Sequence, residues 1–228
     1  VIIVFQAPLF IEENFAHNIY IKTILRSTLR YYDKIHTVNK EDSNLFKKWG
    51  FDGKTVYLPN GIKMDKLFSI PVEEKFLGDR LRFAFAGRFE KQKSIDLLIN
   101  VIPKLANLKI EFYFAGKGTF QDEVIRLSNN FDFVKYLGFL DFDEIDKVFS
   151  QADIFVLPSR QEPFGVVMIE ALASGLPVIA SKTNGPLDLL KEGKTGWFMP
   201  EVSEEAIYSK IIEIYNIWLQ GKSSFKHM

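Results

Sequence analysis

The sequence predicts an α/β fold with a doubly wound parallel sheet, and three observations carry that expectation. From residue 81 onward, short apolar runs rich in β-branched and aromatic residues alternate with stretches of helical period, which is the pattern of a parallel sheet covered by helices. Inside that alternation, 154–181 reads as a complete strand–helix–strand unit, with Gly175 and Pro177 breaking the helix before the second strand. Glycine and proline recur where strands end and the chain must turn.

Taken in order, 1–5 (VIIVF) reads as a strand, followed by a loop around Pro8. Residues 17–30 space Ile19, Ile24, Leu25 and Leu29 as an amphipathic helix with Lys22, Arg26 and Arg30 interleaved. Those cations suit a solvated face, the commoner use, or an anionic membrane surface, so peripheral membrane association is the lesser expectation. A strand at 34–38, a helix at 40–49 stopped by Gly50 and a strand at 54–58 follow, closed by the turn Pro59-Asn60-Gly61. The aperiodic stretch 65–79 reads as an interdomain connection. Strands are then expected at 81–86, 109–115, 134–137, 153–157, just after 177, and at 196–199. Helices are expected at 95–105, 120–127, 142–149, 165–174, 186–190 and 203–219. The expected domains are 1–70, 71–220 and a frayed tail at 221–228. Because the chain opens inside an apolar strand, the N-terminal domain is expected to be partial.

Composition narrows the function. The 228 residues suffice for one large or two small domains. Lys+Arg and Asp+Glu both number 29, so no pull toward nucleic acid is expected. Without cysteine there is neither a disulfide framework nor thiolate chemistry, which fits a reducing compartment. No apolar run reaches the ~18 residues of a membrane span, and the opening strand is too short for a signal sequence. A cytoplasmic protein, at most resting on the cytoplasmic face of a membrane, is expected.

The chemistry concentrates beyond strand ends, where parallel sheets bind ligands. Glu162 sits in the polar loop after the strand at 154–157. Glu170 sits in the middle of a helix that is apolar nearly all round, Val166 to Ala173. A carboxylate there costs several kcal/mol unless it is paired. An internal salt bridge or loop cap is one partner; the hydroxyls of a ligand, gripped as dinucleotide folds grip a ribose, are the other. Gly165, at the start of that helix, would let an anion approach backbone N–H groups. Gly87 and Arg88 end the strand 81–86, and Lys93 follows before the next helix. Two cations on a strand-to-helix loop can clamp a diphosphate, or Arg88 can pair with a nearby acid.

Other motifs yield less. Neither 87–94 nor Gly116-Lys117-Gly118-Thr119 completes G-x-x-x-x-G-K-[ST], and no G-x-G-x-x-G is present. Asp141 and Asp143 could hold a divalent metal, but aspartates opening a helix are far more often caps. His17, His36 and His227 lack metal-ligand spacing, and Ser159 lacks a nucleophile elbow. The turns at 185–188 and 193–196 are loop punctuation that could line a shared pocket.

Together these pieces make the chain resemble the retaining, nucleotide-sugar-dependent glycosyltransferases of family four (glycosyl transferases group 1), with the GT-B fold of two facing Rossmann-like domains. The match is carried by Gly87-Arg88-Phe89 with Lys93, by Glu162-Pro163-Phe164-Gly165 with Glu170 eight positions after Glu162, and by Ala173-Ser174-Gly175-Leu176-Pro177-Val178. Asn184-Gly185-Pro186 and Gly193-x-Thr195-Gly196 continue it. The resemblance implies transfer of a sugar from a nucleoside-diphosphate donor, such as a UDP- or GDP-sugar, to a glycan, lipid-linked or other hydroxyl acceptor, with retention and without a metal or other cofactor. It implies that Arg88 and Lys93 bind the diphosphate, Glu170 the ribose and Glu162 the donor sugar. The backbone of Phe164, Gly165 and Val166 would meet sugar and phosphate, and the turn at Phe139 and Leu140 would lie near the base. Arg88, Lys93 and Glu162 are the expected catalytic residues. His17 and Gln6 are weak counterparts of family positions near the reacting sugar, and Ser94 stands where glycine or asparagine is common. The other expectations are a non-catalytic donor-binding lobe or partner subunit, and a nucleotide-sugar epimerase, which the Arg88/Lys93 and Glu162/Glu170 combination disfavours.

Overall fold

A computed structural model describes residues 1–5, 19–63, 76 and 78–221. The chain forms two compact units: residues 1–61 with 161–165 and 183–188, and residues 62–160 with 166–182 and 189–228.

The first unit is built on a parallel sheet of β1 (Ile2–Phe5), β2 (Lys34–Thr37) and β3 (Thr55–Tyr57), in that order. Helix α1 (21–31) links β1 to β2, and α2 (Lys40–Phe46) links β2 to β3. Leu25, Leu29, Ile35, Phe46 and Phe51 form its core, with the Phe5 ring 4.8 Å from that of Phe46. Gly50, at φ 90°, ends the helical run after α2, since this left-handed geometry costs glycine least. Arg26 donates to the Trp49 carbonyl at 3.4 Å, so part of the basic face of α1 is turned to an internal partner. Gln6, Pro8 and His17 lie outside the described residues.

The cap of α2 contains a titrating group. Asn39 accepts the Asp42 N–H at 2.8 Å and donates its amide to the Asp42 carboxylate at 2.8 Å. Burial pushes the Asp42 carboxyl up to about 6, against the hydrogen bond from Asn39 and helped by Glu41. A carboxyl raised above its unfolded value of 3.8 stabilises the fold fully below that value and loses the contribution as pH rises through about 6. Asp42→Asn is therefore expected to stabilise the protein at pH 7.5 by about 1–3 kcal/mol, from ~1.4 kcal/mol per unit. Urea denaturation at pH 7.5 and pH 4 checks this: the gain should vanish at the lower pH.

The second unit holds a six-stranded, all-parallel sheet. Its strands are β4 (Leu81–Ala86), β5 (Ile110–Ala115), β6 (Val134–Tyr136), β7 (Ile154–Leu157), β8 (Val178–Ser181) and β9 (Gly196–Met199), in the spatial order β6-β5-β4-β7-β8-β9. The strand order reverses between β4 and β7, the switch point where doubly wound sheets bind ligands. Its helices are α3 (Ile95–Val101), α4 (Gln121–Asn130), α5 (Asp146–Phe149), α6 (Val166–Ala173) and α8 (Glu204–Gln220); α7 (Asn184–Leu189) is counted, up to Asp188, with the first unit.

The two faces of this sheet differ because phenylalanine and alanine alternate along 83–86 of β4 and at 114–115 of β5. Phe83 pairs with Phe112 and Phe85 with Phe114 on one face, with the first two rings stacked at 5.0 Å. That face packs with α3, α4 and the Ile207, Ile211, Ile214 and Trp218 stripe of α8. Each buried phenylalanine contributes roughly 2–3 kcal/mol. Ala84, Ala86 and Ala115 lie on the other face, with Phe149, Met168 and Ala171. At the sheet's far end, buried Asp153 accepts hydrogen bonds from the main chain of Phe76 (2.8 Å) and Arg82 (2.9 Å) and from both ends of the Arg82 guanidinium, at 3.0 and 2.7 Å.

Three sequence expectations need correction. The helix expected at 95–105 tightens into a 3₁₀ turn, Ile102–Leu105, where Pro103 removes a donor. The helix expected at 142–149 is split into a 3₁₀ turn, Phe142–Glu144, and α5; Asp141 caps the first piece in a capping box with Glu144. Helix α7 starts at Asn184, two residues before the expected start, placing Pro186 in its first turn, where no N–H is needed. The connection expected at 65–79 is described at residues 76, 78 and 79, and Phe76 is buried in the core. Residues 222–228 of the expected tail lie outside the described residues.

Candidate functional site

A cavity of about 480 Å³ opens at the carboxyl ends of β4 and β5. Ala86 and Ala115, neighbours in register, form part of its wall: larger side chains there would fill it. Gly87 and Arg88 continue from β4, Gly116 and Lys117 from β5, and Phe139, Leu140 and Asp141 follow β6. Val166, Val167 and Glu170 present one side of α6.

The loops around the cavity are joined through their main chains. Gly87 donates to Ala115, Phe89 to Lys117, Phe120 to Phe89 and Gly116 to Gly138, all at 2.9–3.1 Å. The approach is close enough that a Cβ on Gly116 would stand 1.9 Å from the Gly87 carbonyl oxygen, and one on Gly118 2.6 Å from that of Phe89. These glycines serve loop-to-loop contact rather than phosphate cradling of the P-loop kind. Glu90 adds a side-chain link, accepting the Thr119 N–H at 3.0 Å and its hydroxyl at 2.8 Å. Gly87 is different: at φ 150°, nothing lies within 4 Å of where its Cβ would be. Its backbone is open to whatever enters.

Glu170 is the anomaly of the site. It is 5% exposed, and its Oε1 atom is buried without a hydrogen-bond partner. Burial holds its carboxyl above the usual carboxylate range. The internal salt bridge weighed from the sequence is not what surrounds that oxygen. On the rim, exposed Arg88 donates to Gln92 Oε1 at 2.8 Å, and the Lys117 ammonium stands 3.9 Å from the Phe139 ring centroid.

A model of the family described as glycosyl transferases group 1 matches residues 69–223. The chain belongs to this family. An uncharacterized glycosyltransferase of Methanocaldococcus jannaschii is 33% identical over 163 residues, which cover 69% of this chain and 40% of that protein. Sucrose-phosphate synthase from Thermosynechococcus elongatus superposes with a TM-score of 0.78 at 20% identity, covering 99% of this chain and 61% of the other. HepE of Anabaena, solved with UDP and glucose, gives 0.76 at 20% identity, covering 99% and 64%. The shared fold is GT-B, as the sequence led us to expect. The chain spans 40% to 64% of the lengths of these three proteins.

Of the residues singled out through the glycosyl transferases group 1 resemblance, the cavity brings together Gly87, Arg88, Phe139, Leu140, Val166 and Glu170. Lys93 ends a 3₁₀ turn, Lys91–Lys93, in the same unit but is not part of the lining. Glu162, Phe164 and Gly165 belong to the segment counted with the first unit. There Gly185 packs main chain to main chain: a Cβ on it would stand 2.1 Å from the Phe164 carbonyl oxygen, and its N–H donates to the Glu162 carbonyl at 2.9 Å. Glu162 is buried, and Gly165 has φ 86°. Lys117 was not among the expected site residues; its signal was the pair of glycines flanking it. Among the described residues no group of His, Asp and Glu gathers as metal ligands would, and no helix is long and apolar enough to cross a membrane.

Proposed function

We propose that this chain carries the nucleotide-sugar donor site of a retaining glycosyltransferase that transfers a sugar to an acceptor hydroxyl without a metal ion. The observation that carries this reading is Glu170, a buried carboxylate oxygen with no protein partner in the wall of a cavity at the carboxyl end of a parallel sheet. Ribose hydroxyls would supply the missing donors. HepE was solved with UDP and glucose, which supports a nucleotide and sugar as the ligand class.

In this reading Arg88 and Lys93 bind the donor diphosphate. As the bond from the anomeric carbon to the diphosphate oxygen breaks, negative charge grows on the leaving group, and fixed cations favour that state over the ground state. The open backbone at Gly87 admits the phosphates. Leu140 and the neighbouring Phe139 meet the base, and the resemblance to the family assigns Glu162 and the backbone of Phe164, Gly165 and Val166 to the donor sugar.

Calorimetric titration with UDP, GDP and ADP, with EDTA throughout, tests the reading. One of the three should bind saturably, and Arg88→Ala and Lys93→Ala should each raise its Kd roughly tenfold or more, as for charge-assisted contacts of about 1.5–3 kcal/mol. Binding that requires a divalent ion, or unchanged affinity in both variants, would refute it.

A further inference from the structure

The crevice at the switch point sets a mechanical problem. Strands β4 and β5 are paired along their full length, from Leu81↔Ile110 to Ala86↔Ala115. Strands β4 and β7 are paired at Phe83↔Ile154 and Ala84↔Phe155, two residues short of the end of β4. Beyond that point the sheet ladder no longer joins the two halves, yet the turn carrying Lys93 belongs to the β4 side. That turn is also strained. Ser94, which ends it, is fully buried in the left-handed region at φ 54° and ψ 30°, a conformation that costs a non-glycine residue about 1–2 kcal/mol unless its surroundings impose it.

Arg160, two residues beyond Pro158 at the end of β7, spans the gap. Its main-chain N–H donates to the Gln92 carbonyl at 2.9 Å. One guanidinium nitrogen donates to the Lys91 carbonyl at 2.7 Å and to Asp96 at 2.7 Å, and a second reaches Asp96 at 3.0 Å. Arginine's planar fork can hold a carboxylate and a carbonyl together; a lysine ammonium cannot match that geometry. The base of the loop is fixed in turn, because the Ser181 hydroxyl at the end of β8 donates to the carbonyl of buried Ser159. The line of bonds runs from β8 through Ser159 and Arg160 to the 91–93 turn, whose Gln92 side chain also receives Arg88.

We propose that Arg160 is a positioning residue for diphosphate binding: it holds the Lys91–Lys93 turn, and with it Lys93, across the crevice between β4 and β7. The proposal rests on the reading of Lys93 as a diphosphate ligand. Arg160 and Asp96 are partly exposed, so their ion pair adds little to global stability. That separates the positioning role from a merely structural one.

The test is a double-mutant cycle in the whole chain: wild type, Lys93→Ala, Arg160→Ala and the double variant, titrated with UDP, GDP and ADP and with uridine, guanosine and adenosine. Arg160→Lys and Asp96→Asn provide milder changes. Arg160→Ala should raise the Kd for the bound diphosphate about tenfold, leave nucleoside affinity unchanged and move the melting temperature by no more than about 2–4 °C. Arg160→Lys should fail to restore affinity, and the double variant should bind no more weakly than Lys93→Ala alone. Additive losses in the cycle, equal losses for nucleoside and diphosphate, or wild-type affinity in both Arg160→Ala and Arg160→Lys would overturn the proposal while leaving Lys93 in its role. A wild type that binds none of the three diphosphates would defeat the reading of the site, Lys93→Ala with unchanged affinity would defeat the reading of Lys93, and this proposal falls with either.

Discussion

Glu170→Gln is expected to make the ligand-free protein more stable and the liganded protein weaker, and the opposition is the point. The Oε1 atom is buried and unpaired, and desolvation alone raises the carboxyl above its ordinary range. A carboxyl so raised stabilises the fold below the unfolded value and loses that contribution as pH rises through the folded one. Burial disfavours the charged form, so the amide should raise stability at pH 7.5, and the gain should fade toward pH 4. A ribose, however, donates to a carboxylate with the strength of a charge-assisted bond, about 1.5–3 kcal/mol. The same substitution should therefore raise the Kd for the bound nucleoside diphosphate about tenfold or more. Thermal melts at the two pH values, paired with titration at pH 7.5, check both halves. A loss of stability with normal affinity would assign Glu170 to the fold instead.

Asp153→Ala is expected to have the largest effect on stability, with no role at the site needed to explain it. The carboxylate is fully buried and accepts four hydrogen bonds, two from main-chain N–H groups and two from Arg82. The Arg82 guanidinium is held above its ordinary range, chiefly by its hydrogen bonds to Asp153. Removing the acid takes four hydrogen bonds from a partly buried cation and two main-chain N–H groups, a loss of about 3–5 kcal/mol. The experiment is urea denaturation of Asp153→Ala beside Arg82→Met, in which the remaining acid keeps its two main-chain donors. The arginine variant should lose clearly less.

The strands and helices of the second unit were legible because their signals are local: β-branched and aromatic runs, helical period and glycine stops. Glu170 was legible for the same reason, as a charge alone among apolar neighbours. The cavity itself was not. It depends on Ala86 and Ala115 meeting in register, and register joins residues far apart in sequence. Gly116 looked like a phosphate-loop fragment because its neighbour in space, Gly87, is invisible along the chain. Arg160 passed unnoticed because its partners, Lys91 and Asp96, lie some seventy residues earlier. Helix α7 began early because the packing of Gly185 against Phe164 set its start.

The loops that frame the cavity are joined through peptide groups, from Gly87 to Ala115, Phe89 to Lys117 and Gly116 to Gly138, while Arg88, Lys117 and Phe139 contribute side chains to its lining. Scaffold and selectivity are thus written in different atoms. Exchanging Lys117 or Phe139 leaves the peptide bonds of the frame in place, so the ligand that the cavity takes in the proposed reading can be retuned, by mutation or by design, without refolding the frame around it.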